Sequence, residues 1–340
     1  MNGLMTVFCA AQETTAAIEI DPIVTAYSDL KIPVLSMVMM GLSAAILLGA
    51  LILCFVMLFN RTENWGTGVI SGMAGYLLIC YALYMGIQVA LNAIPFTKGF
   101  VQNQPDHYTV LITVLSGLLV CLAVFATMKY VSNMMMKRGQ MMTIGTALAV
   151  GVGMFGASVI ISKEMMNSIQ YIVVATSINK MGFDPAVTTT VASMMENGYE
   201  KEEAIKLATD SLLSMINEPS ISFLLNGTYY ILMAVLQICA AVLVYGVMKG
   251  TLDNKWQILG YSGLLLSIIP SVLSNVTGIP GWVAFLINLT LSGVVLFLTV
   301  KAVKTYMPDD FQSLTYNHRK KKVKEDAEKR KKMPHIEMPK

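Results

Sequence analysis

Apolar residues in this chain come in long unbroken stretches separated by short polar ones. Six runs, 32–59, 66–93, 109–131, 141–161, 221–248 and 281–303, each match the ~20 residues that a helix needs to cross a ~30 Å hydrocarbon core. A seventh, 256–275, is interrupted by Pro270. Backbone facing lipid must satisfy its hydrogen bonds within its own segment, so the pattern predicts helices, not strands. Residues 165–179 form a shorter stretch carrying Asn167, Ser168, Gln170, Thr176 and Ser177. That stretch reads as an eighth span, a continuation of the fourth helix, or a segment at the interface.

Between the fourth and fifth long runs, 184–217 is the one extramembrane piece large enough for structure of its own. Asp184-Pro185 is a helix start, with proline at the first helical position. Ala204, Leu207, Ala208, Leu212 and Met215 recur at helical spacing and predict one apolar stripe. The expected element is an amphipathic helical hairpin, serving as a simple connector or as a lid or partner-binding cap.

Composition agrees with a lipid-solvated chain. Apolar residues make up 55% and charged residues 13%, at a mean hydropathy of +0.62, where a soluble domain carries roughly a quarter charged residues. Net charge is +3 but unevenly placed: residues 319–332 hold nine Lys/Arg against three acidic residues, a local +6. Basic residues in short loops mark the cytoplasmic side. Lys137 and Arg138 follow the third run, Lys249 and Lys255 the fifth long run, and the basic tail the last. All three lie on one side if 165–179 does not cross. The expected architecture is an all-α, polytopic transmembrane helical bundle of about seven spans, N-out and C-in, with eight as the alternative. Its parts are an extracytoplasmic N-terminal tail (1–31), a membrane bundle (32–305) that includes the extracytoplasmic helical segment 181–219, and a basic cytoplasmic tail (306–340). The first eleven residues are mildly apolar but lack a basic n-region, and are not read as a cleaved signal.

Candidate chemistry is sparse. No Asp or Glu falls inside the seven runs, and His107, His318 and His335 lie outside them. Coupled transport and proton pumping need intramembrane carboxylates, and metal-dependent hydrolysis needs ligands for the metal. Cys54, Cys80, Cys121 and Cys239 sit within apolar runs as small hydrophobes, and Cys9 is alone. A Walker sequence is absent. The stretch Gly151-Val-Gly-Met-Phe-Gly156 spells the dinucleotide fingerprint, but within a membrane run Gly151, Gly153 and Gly156 are read as helix-packing positions. Lys129 is a basic residue inside the third run. It lies near the run's end, where its stem can reach the headgroups. The amides Gln88, Asn92, Gln237 and Asn288 and the tyrosines 76, 81, 84, 229 and 230 serve as interhelical hydrogen bonds or as the lining of a polar cavity.

From about residue 32 to 305 the order of features resembles the YhfC-like family of bacterial membrane proteins, distant kin of the PrsW and CAAX-processing intramembrane proteases. Where that family has Glu-Glu-x-x-Arg/Lys before a basic loop, this chain has Phe125-Ala-Thr-Met-Lys129. The family's Gly-His-Gly-Gly-x-Glu-Ala corresponds to Gly151-Val-Gly-Met-Phe-Gly-Ala157, and its Phe-Leu-Leu-Gly-Gly-x-Glu-Arg to Phe223-Leu-Leu-Asn-Gly-Thr-Tyr-Tyr230. A later family His aligns with Gln237, and a final His-x-x-x-Asp with Ser267 and Ser271. The resemblance implies a helical bundle with the motif groups on facing helices. Of those groups only Lys129 is present. Phe125, Ala126, Val152, Gly156, Tyr229, Tyr230 and Gln237 stand at degenerate positions.

The expectation is therefore a non-catalytic, pseudoprotease-like protein of the bacterial cytoplasmic membrane, with no catalytic residues, metal or cofactor. It would bind a membrane-protein or peptide partner or a lipid, and its tail would contact anionic lipid headgroups; nucleic acid is not an expected partner. The rival readings are an active YhfC-type intramembrane protease and the membrane subunit of a small-molecule or peptide transporter.

Overall fold

The computed structural model describes residues 30–62, 65–94, 105–162, 164–196, 198–270, 272 and 280–315. Among these there is no strand, and the helices follow one another as α1 (Val34–Arg61), α2 (65–93), α3 (Pro105–Lys137), α4 (Ile144–Ser162), α5 (Glu164–Met181), α6 (Phe183–Glu196), α7 (Lys201–Asn217), α8 (Ser220–Met248), α9 (Asn254–Leu266), α10 (Gly281–Tyr306) and α11 (Pro308–Thr315). The tail 319–332 and residues 1–29 lie outside the described residues.

Six helices, α1, α2, α3, α4, α8 and α10, are long and apolar enough to cross a membrane. The chain is an all-α, multi-pass membrane protein. The run 256–275 forms the 13-residue α9, which gives way to a turn at Ser267. The reason is Pro270, which has no N–H to donate to the Leu266 carbonyl; residues 273–279 lie outside the described chain. The stretch 165–179 is helical throughout, within α5, but is not among the six. Inside α2, Tyr76–Leu83 is wound as a π-helix between Trp65–Gly75 and Tyr84–Ala93. The wider turn begins where Gly75 meets Thr127 of α3 so closely that a Cβ would overlap the threonine hydroxyl.

The described residues fall into two compact units. One holds residues 30–49 and Ser162–Tyr229. Here Phe183, Ala186, Val187, Val191 and Met194 of α6 and Ala204, Ala208, Leu212 and Met215 of α7 share a core with Val174, Ala175 and Ile178 of α5, Ile32, Met40 of α1 and Phe223 of α8. The hairpin is thus an integral part of a cored unit. The expected stripe is present except at Leu207, which is 36% exposed because α7 buries only its 204–208–212–215 line. Ser36 Oγ meets Ser220 Oγ at 2.7 Å, and Gly227 packs on Ser43, so α1 and α8 run parallel with the same seven-residue step. Asn179 pairs with both backbone groups of Ile32: the Ile32 N–H donates to Asn179 Oδ1 (2.8 Å), and Asn179 Nδ2 donates to the Ile32 carbonyl (3.0 Å). With Gly41 beside Ile172, this sets α5 antiparallel to α1.

The second unit holds Ala50–Ile161 and the described residues from Tyr230 on. Small residues set its spacing. Cβ atoms on Gly68 and Gly72 of α2 would meet Ala149 Cβ (2.6 Å) and the Val150 carbonyl of α4, and one on Gly153 would meet the Val69 carbonyl. Gly145 packs on Thr62, and Gly156 lies beside Leu51, so α4 runs antiparallel to α1 and parallel to α2. Gly75 facing Thr127, and Cys80 beside Cys121, make α2 and α3 antiparallel. Gly117 touches Ile268 and Cys121 reaches the Tyr261 carbonyl, which opposes α9 to α3. Gly260 on Ala240 and Ser267 on Met233 oppose α9 to α8, while Gly263 on Val295 and Trp256 near Tyr306 oppose it to α10.

Directions therefore alternate: α1, α3, α8 and α10 one way, α2, α4 and α9 the other. Arg61, Lys137, Lys249 and Lys304 all lie at one face of this unit, at the ends of the four co-directional helices.

Overpacking a filled contact costs about 1–3 kcal/mol. Gly72→Leu and Gly153→Leu are expected to lower the unfolding temperature in detergent and the yield of monodisperse protein. Gly86→Leu and Gly293→Leu, whose Cβ atoms meet nothing within 4 Å, are expected to leave both unchanged.

Candidate functional site

The positions singled out by the family resemblance do not converge. On α3, the residues turned into the core are Val120, Ala123, Val124, Met128 and Val131. Phe125 and Lys129 occupy the other side and are exposed, with the Lys129 ammonium 5.9 Å from the Phe125 ring centroid; Ala126 is half-buried. Val152 is buried with Leu58, Val69 and Ala149. Gly151 has Ile238 Cα of α8 2.6 Å from where its Cβ would be, so neighbouring backbone fills the space that a side chain would need. Gly156 is buried, and its Cβ would meet Leu51 at 3.7 Å. Tyr229 and Tyr230 are half-buried and each has a partner. Gln237 is 2% exposed. Ser267 is buried and donates to the Leu264 carbonyl at 2.7 Å; Ser271 and the side chain of Glu164 lie outside the described residues.

The intramembrane amides separate into two kinds. Gln88 donates to Tyr84 OH (2.9 Å) one turn away along a half-exposed stretch of α2; the Asn92 side chain is not among those described. Gln237 and Asn288 are interior, and their carbonyl oxygens, Oε1 and Oδ1, meet no hydrogen-bond partner. Beside Asn288, the structure adds residues that the sequence reading passed over. The buried face of α10 is Ala284, Asn288, Ser292, Val295, Thr299, Ala302 and Val303. Ser292 Oγ is also buried without a partner, while Thr299 donates to the Val295 carbonyl at 2.8 Å and contacts Cys239. The signal was present as polar residues at 288, 292 and 299, spacings that return to one helical face. Gln237 does not join this line. At about 100° per residue it sits about 200° round α8 from Cys239, which faces α10. Among the described residues no three His, Cys, Asp or Glu side chains are placed to hold a metal ion.

A second polar cluster closes the end of the bundle where α10 finishes. Met307 is buried, and α11 folds back so that Phe311 and Leu314 pack on the core. Asp310 Oδ2 accepts from Lys249 Nζ at 2.7 Å, and its Oδ1 accepts from Tyr245 OH at 3.4 Å. Arg61 donates to the Leu314 carbonyl at 3.5 Å, and the Lys304 ammonium stands 5.0 Å from the Phe311 ring centroid. The Asp310 carboxylate raises the Lys249 pKa above its ordinary value.

Comparison with protein-family models, with curated proteins and with solved structures finds no match. The fold alone defines the class, a multi-pass helical membrane protein, and the interior polar line on α10 and the α11 clasp are its distinctive side-chain arrangements.

The Lys249–Asp310 pair is part-exposed, and such pairs contribute about 0.2–1 kcal/mol. Asp310→Asn is expected to speed amide exchange in 308–315 by up to several-fold, without changing the unfolding temperature. Because the Lys249 pKa is raised, the pair's contribution is complete below the ordinary lysine value of about 10.4 and is lost only as pH rises through the higher folded value. The exchange difference between wild type and variant should therefore be the same at pH 7 and pH 9.

Proposed function

We propose that this chain is a non-catalytic membrane protein of the pseudoprotease kind, one that binds a membrane-protein or peptide partner or a lipid instead of cleaving it. The observation that carries the reading is the placement of the motif positions. Phe125 and Lys129 lie on the exposed face of α3, while Val152 is sealed among Leu58, Val69 and Ala149. A hydrolase needs a base or nucleophile within hydrogen-bond reach of the attacked carbonyl. Lys129 is the only charged group that the motif positions retain, and its outward placement takes it away from any interior hydroxyl. The spans also carry no Asp, Glu or His from which another site could be built.

The same reading places the chain in the bacterial cytoplasmic membrane, N-out and C-in. Its support is the gathering of Arg61, Lys137, Lys249 and Lys304 at one face, since basic ends stay on the cytoplasmic side. Residues 181–219 are then assigned to the extracytoplasmic side. Residues 319–332, at +6, are assigned to anionic headgroups, each basic residue near the surface contributing about 1 kcal/mol.

Purified protein is expected to contain no stoichiometric metal and to cleave no transmembrane substrate. Cleavage that survives repurification and disappears in Lys129→Ala or Glu164→Ala would overturn the reading. Mild-detergent affinity purification should instead recover a stable partner or a defined lipid. In a Cys9→Ser background, Glu200→Cys should react with a membrane-impermeant thiol reagent applied to intact cells, and Asn254→Cys should not; labelling of both would reject the orientation. A 319–332 peptide should bind vesicles containing anionic lipid and leave neutral ones bare; equal binding removes the headgroup assignment.

A further inference from the structure

The break in α9 and the polar line on α10 stand at the same depth. Gly263 of α9 packs on Val295 of α10, which fixes the register of the two antiparallel helices. From there, Ser267 and Pro270 lie about 6 and 10 Å further along α9, and Ser292 and Asn288 about 4 and 10 Å back along α10, at 1.5 Å per residue. The two pairs therefore fall level with each other. Met233 of α8 marks the same level, because Ser267 Oγ touches its sulfur at 3.2 Å.

Two hydrogen-bonding groups at this depth have no intramolecular partner. Asn288 Oδ1 and Ser292 Oγ have none, although their residues are 1% and 2% exposed. An unmade hydrogen bond on a buried polar atom costs about 1–3 kcal/mol, and native chains rarely tolerate several together. The amide oxygen is a pure acceptor, and the serine hydroxyl both donates and accepts. What satisfies them must supply O–H or N–H donors.

Charge and size narrow the occupant further. α8 carries no Asp, Glu, Lys or Arg, and the only ones on α9 and α10 are Lys255, Lys301 and Lys304. Lys301 is 13 residues from Asn288, about 20 Å along the helix. A charged guest would remain uncompensated in a low-dielectric interior. The near-complete burial of both side chains excludes a helix or an acyl chain as the guest.

We propose that Asn288 and Ser292 form an intramembrane site for a small uncharged hydroxylic molecule, either water or a polyol-sized solute. The site does not depend on the binding function proposed above, nor on which face is cytoplasmic.

Hydroxyl-radical labelling of the full chain in nanodiscs, with ¹⁸O-labelled water, tests it. Radicals form from water, so a sulfur beside a bound molecule is oxidised even at membrane depth. Met233 should take up label several-fold faster than Met73, another half-buried methionine, which packs near Leu58, Val69, Ala149 and Val152. Asn288→Leu combined with Ser292→Ala should bring Met233 down to the Met73 rate. A high concentration of glycerol that slows Met233 labelling in the wild type identifies a solute as occupant; an unchanged rate identifies water. Equal labelling of Met233 and Met73 in the wild type would overturn the proposal, and that comparison stands whether or not the double variant folds. The unfolding temperature gives a second, independent reading. Asn288→Leu lowers it if the site is occupied, and raises it if the wild type holds a dry, unpartnered amide.

Discussion

Close contact between helix backbones is the constraint from which the second unit takes its shape. Lipid tails are as apolar as leucine, so membrane helices gain little by hiding apolar surface from one another and depend on dispersion at short range. Gly68 and Gly72 of α2 and Ala149 and Gly153 of α4 repeat every fourth residue, and each stands against the partner helix. With α4 held to α2 on one side and, through Gly151, to α8 on another, the central helix has almost no freedom of rotation. Its burial follows from that, as does the sealing of Val152.

The first unit is held by different means. Its core residues are larger, and its polar contacts, Ser36 with Ser220 and Asn179 with Ile32, join segments far apart in the chain. α6 and α7 bury one side and leave Glu196, Glu200, Glu202 and Glu203 exposed, which is the arrangement of a water-facing hairpin. The two units thus pack by different means. Small residues bring backbones together in one, and an amphipathic stripe covers a core in the other.

The spans were legible in the sequence because about 20 apolar residues in a row have few alternatives to a helix. So were the α6–α7 hairpin and the tendency of its apolar line to face inward. Leu207 was misassigned because spacing alone cannot tell the edge of a stripe from its centre. The break of α9 was visible only as a proline, since residues on both sides remain apolar. The π-helical stretch Tyr76–Leu83 left no mark, because a change of one residue per turn alters no composition. For the site, the sequence offered Gln237 and Asn288 as equals. Their separation onto different sides of the bundle depends on helix rotation, which Gly151, Gly260 and Gly263 fix through contacts with helices distant in the chain.

The pairing of Asn179 with Ile32 has a consequence for the order in which the chain is made. Helix starts are commonly secured by a neighbouring side chain two or three positions away, available as soon as the segment leaves the ribosome. Here the side chain that holds the entry to α1 lies 147 residues downstream. Four membrane-crossing helices are synthesised before it emerges. Throughout that interval the first helix has its full apolar length but an unsecured beginning. That beginning gains its partner only when α5 arrives beside it. A helix made before the other spans is in this respect among the last to be finished.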